Sequence, residues 1–410
     1  MLSNVKEVEV RRSFHLPFPR HNRTTFIRID TGLCTACGSC VAECPRQVLG
    51  LMDFLGHCHV HVDRAPKCRG CHKCAQTCQH GAIQPRMDAA SRRFSNPAGP
   101  VKQSFGMLLR LLSSKRAPWP AHVAVEPRRP PSPQHPDEAI VTFIGHSTFL
   151  IQTSLGNILT DPIYSERAGP LQFLGPRRVR QPGVAFDDLP EISMVLISHN
   201  HYDHLDLPTL RALDRRFHPL FVTPLKNGPL LKSAGILRVQ QLNWWEHAAT
   251  VTPRISLTPA QHFSARTLFD RNRALWGGYV ISTGPLRIFF AGDTGYGRHF
   301  RDIHKRYGPV DLALLPIGAY EPRWFMKDIH MNPAEAVQAH LDLEARQSIG
   351  MHFGTFRLAQ EGIADPVADL EREPLARQLL GKSFRTLDVG GSLRLGGPRL
   401  DNPRPAAVVA

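Results

Sequence analysis

Residues 194–204 read MVLISHNHYDH, an apolar run followed directly by the pattern His-x-His-x-Asp-His. The apolar part has the composition of a short buried strand. A strand that ends there would present alternate side chains to one side, so His199 and His201 could bind one divalent ion. Asp203 and His204 could then reach a second ion. Polar surface loops contain such residues too, but the position at a strand end favours a metal site.

Three further candidate ligands follow the motif, each at or near the end of a strand-like run. They are His262 in QHFS (261–264), Asp293 in FAGDTG (290–295) and His352 in GMHFG (350–354). Taken singly, each would more often be an ordinary polar residue than a ligand. Their common position is the one expected of ligands that strands deliver to a shared site.

Strands alternate with helices from about residue 138 onward. Six apolar runs are predicted to be strands: 140–144, 148–153, 194–198, 255–258, 286–291 and 312–315. Asn332 and Pro333, with Glu335 in the first turn, predict a helix that continues to about residue 345. Two sheets flanked by helices fit this order of elements.

All nine cysteines lie between Cys34 and Cys78, which indicates one metal-binding unit rather than scattered disulfides. Eight of them form two runs with the spacing CxxCxxCxxxC. The first run is Cys34, Cys37, Cys40 and Cys44 with a proline after it, and the second is Cys68, Cys71, Cys74 and Cys78 without one. Three thiolates spaced in this way wrap one corner of a cubane cluster, and a fourth from farther away closes it.

These runs resemble the cluster-binding motif of bacterial two-cluster ferredoxins, in which the fourth cysteine serves the other cluster. The resemblance implies a ferredoxin-like domain over residues 27–86 that holds two [4Fe–4S] clusters. One cluster would be held by Cys34, Cys37, Cys40 and Cys78, and the other by Cys68, Cys71, Cys74 and Cys44. Zinc is the alternative, because CxxC pairs bind it as well, but two identical runs favour clusters. The ninth cysteine, Cys58, is expected to be a packed strand residue rather than a ligand.

Basic residues are concentrated in the front third of the chain. The formal net charge is +15; residues 1–137 hold 20 Lys and Arg against 9 Asp and Glu, and residues 138–410 hold 30 against 26. Residues 87–137 are rich in Pro, Arg and Ser and are predicted to be a basic linker, in which FGMLLRLL (105–112) could dock as a short helix. The basic excess could meet anionic lipid, an acidic redox partner or only solvent. No aromatic–basic pattern supports nucleic acid, so we expect no such partner.

Several longer segments resemble the metallo-β-lactamase superfamily, and within it the N-acyl-phosphatidylethanolamine phospholipase D-like hydrolases. They are FIGHST (143–148), LTDP (159–162), HNHYDH (199–204), FAGDTGY (290–296), LPIGAYEPRWFM (315–326), HMNP (330–333), EAV (335–337) and MHFGTF (351–356). IGAYEPRWFM and HFGTF are far more specific than HxHxDH alone, and the resemblance covers about residues 94–390. It implies an α+β protein in which an αββα sandwich over residues 138–396 follows the small ferredoxin-like domain.

The resemblance also implies a role for each candidate. One metal ion would be held by His199, His201 and His262 and the other by Asp203, His204 and His352, with Asp293 bridging them. His330 matches a histidine beside the family's site and is assigned an auxiliary catalytic role, while Asp203 could also orient the nucleophile. Two adjacent divalent ions, expected to be zinc, activate water and stabilise charge on an attacked phosphoryl group. The implied reaction is hydrolysis of a phosphodiester in a phospholipid-like substrate.

Five aromatic residues of the second part could line an apolar entrance to this site or belong to the core. They are Trp244, Trp245, Tyr320, Trp324 and Phe325.

Two enzymatic functions compete, and a third class is a non-enzymatic electron carrier or nucleic-acid-binding protein that uses its basic front. A zinc-dependent hydrolase would carry the iron–sulfur domain as an electron-transfer, regulatory, docking or structural addition. The alternative is a redox enzyme, because His and carboxylate ligands suit iron as well as zinc, and the clusters would then feed electrons to a di-iron centre. In flavodiiron relatives a Glu occupies the second ligand position of the motif, where this sequence has His201.

No stretch approaches the roughly 18 uninterrupted apolar residues of a membrane-spanning helix. Arg11-Arg12-Ser13-Phe14 resembles the core of a twin-arginine signal, but His15 and several prolines follow instead of an apolar stretch. We therefore expect a cytoplasmic protein. Peripheral contact at the inner membrane face and a separate redox partner are further expectations.

Overall fold

A computed structural model describes residues 22–24, 26–54, 56–71, 73–85, 93–96, 101, 105–171, 173–249, 251–373 and 383–397. The stretch that resembles a twin-arginine signal, residues 11–14, lies outside these ranges. Within them, every helix is too short or too polar to cross a membrane.

The small N-terminal domain consists of two antiparallel strand pairs and two short helices. Its elements are β1 (Ile27–Ile29), α1 (Ser39–Ala42), β2 (Leu49–Phe54), β3 (His57–Val62), α2 (Lys73–Thr77) and β4 (Ile83–Pro85). β1 pairs with β4 and β2 pairs with β3, and their apolar residues pack on the cysteines of both runs. Cys58 lies in β3, but its side chain is exposed, so the expectation that it is packed is wrong.

Residues 105–137 lie against the larger domain. Helix α3 (Phe105–Ser113) contains the FGMLLRLL segment, and the Arg110 guanidinium lies 4.5 Å from the centre of the Trp324 ring. Further along, the Val123 amide donates to the Val179 carbonyl oxygen at 2.7 Å. The segment that composition predicts to be a linker therefore follows the surface of the larger domain where the structure describes it.

The larger domain is a sandwich of two mixed sheets with helices outside. Its strands are β5 (Ala139–Gly145), β6 (Thr148–Thr153), β7 (Gly156–Thr160), β8 (Met194–Leu196), β9 (Leu220–Pro224), β10 (Val239–Leu242), β11 (Arg254–Thr258), β12 (Gly278–Ser282), β13 (Arg287–Phe290), β14 (Leu312–Pro316), β15 (Gln347–Met351), β16 (Phe384–Arg385) and β17 (Ser392–Leu395). Its helices are α4 (Leu207–Phe217), α5 (Gly228–Ser233), α6 (His299–Tyr307), α7 (Arg323–Met326), α8 (Pro333–Asp342) and α9 (Asp365–Arg372). The strand orders are β10-β9-β8-β7-β6-β5-β17 and β11-β12-β13-β14-β15-β16.

The main core lies between the two sheets. Phe143 and Phe149 of the first sheet belong to the same buried cluster as Tyr279 and Phe289 of the second. The opposite face of the first sheet is also covered, because its apolar residues form a second buried cluster with α4 and α5. Burial on both faces explains why the strands read as continuous apolar runs. The predicted α+β architecture with an αββα sandwich is confirmed.

The topology places several strand ends together. β7, β8 and β9 run parallel in the first sheet, and β13, β14 and β15 run parallel in the second. Neighbouring parallel strands end at the same edge of a sheet, where ligands of such sheets usually bind. Asp161 and His199 follow β7 and β8, and Asp293 and His352 follow β13 and β15.

Candidate metal centre

Three histidines form the first half of the centre. The Nδ1 atom of His201 lies 2.8 Å from Nε2 of His199 and 3.3 Å from Nε2 of His262. Desolvation by burial lowers the pKa of His201 to about 4 and that of His262 to about 3. Both imidazoles are therefore uncharged at neutral pH, and the neutral ring is the form that binds a metal ion.

Asp203 organises the second half. Its Oδ2 atom lies 3.3 Å from Nε2 of His204 and 3.4 Å from Nε2 of His352. Burial disfavours the charged forms of Asp203 and His352. The neighbouring His204 nevertheless holds the pKa of Asp203 well below its usual range, and the neighbouring Asp293 raises the pKa of His352 to about 9. Without a bound cation, the carboxylates thus draw positive charge onto the histidines. A divalent ion would supply that charge instead.

Asp293 lies between the two halves. Its Oδ2 atom is 3.1 Å from Nε2 of both His204 and His352. The same atom is 3.7 Å from Nε2 of His262 and 4.0 Å from Nε2 of His199. Its other oxygen, Oδ1, is buried and has no hydrogen-bond partner among the described residues. Since such an oxygen is costly unless an ion or a donor meets it, the arrangement fits a pair of divalent ions.

Asp161 and His146, for which the sequence predicts no role, support these candidates. Asp161 is buried, and its Oδ2 atom lies 2.7 Å from Nδ1 of His204. It also accepts hydrogen bonds from the amide and the hydroxyl of Ser198, at 2.6 and 2.5 Å. His146 reaches Oδ2 of Asp203 through Nε2 at 3.0 Å. A carboxylate that accepts a hydrogen bond from one ring nitrogen of a histidine fixes the tautomer and orientation of the ring. Because Asp161 pairs with Nδ1 of His204, the lone pair of Nε2 is directed at the centre.

Backbone conformation marks the same positions. His146, Asp161 and His352 have φ values of 57°, 35° and 59°, in the left-handed region. Non-glycine residues seldom adopt this conformation, and those that do are concentrated at functional sites. All three directly follow a strand, and their side chains reach the candidate ligands or, for His352, the centre itself.

His330 lies beside the centre. Its ring is 5.1 Å from the ring of His262 and 5.2 Å from that of His352, between centroids. Its Nδ1 atom is buried and has no hydrogen-bond partner among the described residues. Arg323 holds this segment by donating to the His330 carbonyl oxygen at 2.9 Å and to Oε2 of Glu335 at 2.7 Å. These bonds hold the IGAYEPRWFM segment against the HMNP segment and so fix the position of His330.

A cavity of about 320 Å³ opens onto the centre. Its polar residues are His201, Asp203, His262, Asp293, His330 and His352, and its apolar ones include Phe263, Phe325, Met326 and Leu358. Arg271 also lines it, with its guanidinium 4.1 Å from the centre of the Phe263 ring. Of the five aromatic residues considered from the sequence, Phe325 lines the cavity, whereas Trp244, Trp245 and Tyr320 are buried elsewhere. Trp324 is partly exposed and lies against Arg110.

All nine cysteines of the small domain are free thiols, and the neighbours of Cys40 and Cys74 divide eight of them into two groups. Burial and the neighbouring Cys78, Cys34 and Cys37 raise the pKa of Cys40 to about 12. Burial raises the pKa of Cys74, and the neighbouring Cys44, Cys40, Cys68 and Cys71 raise it further. Buried thiols that lie close together are costly to ionise unless iron binds them. Each group contains three cysteines of one run and the fourth cysteine of the other run. The grouping therefore fits the two ligand sets implied by the resemblance to ferredoxins.

The structure thus brings all seven candidate metal ligands together with His330. Their role as ligands stays a prediction, as do the cluster ligands.

Comparison with known proteins gives the following matches. A family model described as "Beta-lactamase superfamily domain" matches residues 156–353, and one described as "4Fe-4S binding domain" matches residues 26–49. The N-acyl-phosphatidylethanolamine-hydrolyzing phospholipase D 1 of Caenorhabditis elegans is 38% identical over 262 residues, which are 61% of this chain and 74% of that protein. The mitochondrial N-acyl-phosphatidylethanolamine-hydrolyzing phospholipase D of Saccharomyces cerevisiae is 38% identical over 238 residues. This match covers 56% of this chain and half of the yeast protein.

Among solved structures, an isothiocyanate hydrolase from Delia radicum gut bacteria has a similar fold. It superposes with a TM-score of 0.51 at 21% identity, over 62% of this chain and 98% of that one. At this level of identity the likeness concerns the fold alone.

Proposed function

The chain belongs to the metallo-β-lactamase superfamily, in its N-acyl-phosphatidylethanolamine phospholipase D-like branch, and from this premise we propose that it is a binuclear phosphodiesterase. Its larger domain is a metal-dependent hydrolase domain, and an iron–sulfur domain precedes it. The proposed substrate is a phospholipid-like phosphodiester and the proposed metal is zinc. The observation that supports this most is the convergence of both halves of the centre on Asp293, at the base of a cavity with apolar walls.

The residues present fit two ions. His199, His201 and His262 would hold the first, Asp203, His204 and His352 the second, and Asp293 both. When bound, such a pair supplies a nucleophile at neutral pH and stabilises negative charge on an attacked phosphoryl group.

Protein side chains orient the metal ligands, bind the substrate and supply a hydrogen bond. Asp161 and His146 fix the orientation of His204 and Asp203 through hydrogen bonds of 2.7 and 3.0 Å. Burial keeps the pKa of His330 well below its usual value, so its ring enters the reaction uncharged. The unpartnered Nδ1 atom can then hydrogen-bond an oxygen of the substrate or of the leaving group. Arg271 at the cavity wall would attract the phosphodiester anion, and the apolar residues would hold acyl chains and exclude water.

The test uses the full chain, purified anaerobically and loaded with zinc. We expect cleavage of bis(4-nitrophenyl) phosphate and of N-acylphosphatidylethanolamine by protein that holds two zinc ions per chain in its larger domain. Asp293→Asn should remove at least one ion and lower the activity by at least about 100-fold, because it takes away the shared ligand. Asp187→Asn, at an exposed carboxylate, is the matched control. Fully loaded protein that cleaves neither compound would overturn the proposal.

We also propose that the protein meets lipid at an exposed loop beside the cavity. Leu268 and Phe269 are 94% and 77% exposed, and the Asp270 carboxylate, which accepts from two backbone amides, holds the loop in shape. Arg93 donates to the Phe269 and Arg271 carbonyl oxygens, which ties the tip to the cavity wall. Apolar side chains beside arginines suit insertion among anionic headgroups, where a lipid substrate is found.

A second candidate is the di-iron redox enzyme. It is favoured by one contact, because helix α6, which begins six residues after Asp293, also contacts the cysteine domain through Arg306 and Cys78. Cys37 is exposed, which leaves the cluster domain open to a separate redox partner. Metal analysis combined with electron paramagnetic resonance separates the two functions. Zinc without iron in the larger domain would refute the redox enzyme, and a di-iron signal would refute the zinc hydrolase.

A further inference from the structure

Helix α6 of the hydrolase domain places an arginine on a cysteine of the small domain. Nη1 of Arg306 donates to the carbonyl oxygen of Cys78 at 3.3 Å, and the Gly81 amide donates to the same oxygen at 3.2 Å. Nη2 of Arg306 donates to the Trp245 carbonyl oxygen at 3.4 Å. The guanidinium lies 5.1 Å from the centre of the Trp245 ring and 5.8 Å from that of the Tyr307 ring. The cation is therefore fixed by groups from both domains.

The small domain is shaped to admit this guanidinium. Gly81 has a φ of +64°, and a Cβ atom at this position would lie 2.7 Å from Nη2 of Arg306. Any other residue would push the arginine away from Cys78. A second contact aligns the domains, because Arg298 lies 3.7 Å from Glu43 of the small domain and 3.3 Å from Asp302 of its own helix.

These residues enclose a cleft of about 310 Å³ between the domains. Its charged residues are Glu43, Arg298, Asp302, Lys305 and Arg306. Arg298 is held by the two carboxylates, whereas Arg306 contacts carbonyl oxygens and aromatic rings. Arg306 therefore presents its charge directly to the cysteine loop, in surroundings that screen it less than bulk water does.

We propose that Arg306 sets the reduction potential of the cluster that Cys78 helps to bind. Reduction adds one electron, and hence one negative charge, to the cluster. Charge, hydrogen bonding and solvent exposure around the ligands determine how favourable that step is. A cation against the Cys78 loop stabilises the reduced form and raises the potential. The other cluster, for which the resemblance to ferredoxins implies Cys44 as fourth ligand, receives no contact from Arg306 within the described residues.

The contact also gives the fusion of the two domains a physical consequence. At the other end of α6, Nε2 of His299 lies 3.1 Å from Oγ1 of Thr294, the residue after Asp293. One helix therefore touches a cluster ligand at its C-terminal end and the neighbour of the bridging carboxylate at its start. The potential of this cluster becomes a property of the assembled chain.

The test is a redox titration of the full chain with dithionite as the reductant, monitored by electron paramagnetic resonance. In Arg306→Ala we expect one midpoint to move to a more negative potential while the other stays. Loss of a partly buried cation should lower the ratio of reduced to oxidised cluster roughly tenfold at a given potential. That ratio corresponds to about 59 mV for one electron. Arg306→Lys keeps the charge and should recover most of the shift.

Arg301→Ala is the matched control. It removes a positive charge from the same helix, but Arg301 pairs with Asp342 of the hydrolase domain at 3.1 Å, so both midpoints should stay. Unchanged midpoints in Arg306→Ala would overturn the proposal. Equal shifts of the two midpoints in Arg306→Ala, or the same shift in Arg301→Ala as in Arg306→Ala, would overturn it as well. If Arg306→Ala assembles no clusters, Arg306→Gln is judged by the same criteria. The measurement does not depend on hydrolase activity, so it stands even if the proposed function fails.

Discussion

Replacing Asp161 with Asn tests how the protein orients one proposed metal ligand. In the native chain, Oδ2 of Asp161 receives two donors, Nδ1 of His204 at 2.7 Å and the Ser198 hydroxyl at 2.5 Å, while Oδ1 receives the Ser198 amide at 2.6 Å. In the Asn variant the carbonyl oxygen can stay on the Ser198 amide. The amide NH₂ group then faces both other donors. His204 must move its proton from Nδ1 to Nε2, which removes the lone pair directed at the centre.

The magnitude follows from the bonds lost. A hydrogen bond to a charged, buried group contributes about 1.5–3 kcal/mol, and the one between Asp161 and His204 holds the productive tautomer. We therefore expect the affinity for the ion held by His204 to fall by about 10–100-fold, the range typical of residues behind a metal ligand. The ion held by the three histidines should stay bound, and activity should recover as zinc is raised.

Zinc titration against a competing chelator measures this affinity in the full chain. Asp187→Asn is the control, because that carboxylate is exposed and its ion pair is with Arg216. Circular dichroism reports whether the variant is folded. Two ions bound by Asp161→Asn with native affinity would show that Asp161 does not hold His204 in its ligand tautomer.

Three other predictions follow from separate parts of the molecule. Burial lowers the pKa of His340 to about 4, so below about pH 6.5 the unfolded chain takes up a proton that the folded chain does not. The metal-free protein should therefore lose about 3 kcal/mol of stability from this group between pH 6.5 and pH 4, and His340→Gln should remove that part of the slope in urea unfolding; equal slopes would contradict it. Leu268→Asp should weaken binding to phosphatidylglycerol vesicles roughly tenfold, whereas Leu237→Asp, at a leucine 75% exposed elsewhere, should not; equal losses would count against the lipid contact. Cys44→Ser should cost one cluster while Cys58→Ser keeps both, and retention of both clusters in Cys44→Ser, measured by iron content, would disprove a ligand role for Cys44.

Local signals were sufficient for much of the fold. The run at 148–153 is strand β6, and the helix predicted from Asn332 is α8, where the Asn332 side chain accepts from the Glu335 amide at 2.9 Å. The helix ends at Asp342 rather than near residue 345. The apolar FGMLLRLL segment indicated the docked helix α3. The path of residues 114–137 was not predictable in this way, because it depends on single bonds such as that from Val123 to Val179, which leave no periodic pattern.

The candidate site was predictable where residues carry ligand chemistry at strand ends. Asp161 and His146 belong to no metal-ligand motif. They act through His204 and Asp203, and only the three-dimensional structure shows those contacts. Their place directly after β7 and β5 was the available signal. The contact of Arg306 with Cys78 joins residues that are far apart in the chain, and no sequence pattern links them.

The most direct test of the account is a crystal structure of the full, zinc-loaded chain with anomalous data collected at the zinc edge. We expect two peaks roughly 3.5–4 Å apart on either side of Asp293, one within bonding distance of His199, His201 and His262 and one within bonding distance of Asp203, His204 and His352. A fully loaded crystal with no peak there, or with a single peak that leaves either set of ligands unbound, would contradict the two-metal centre.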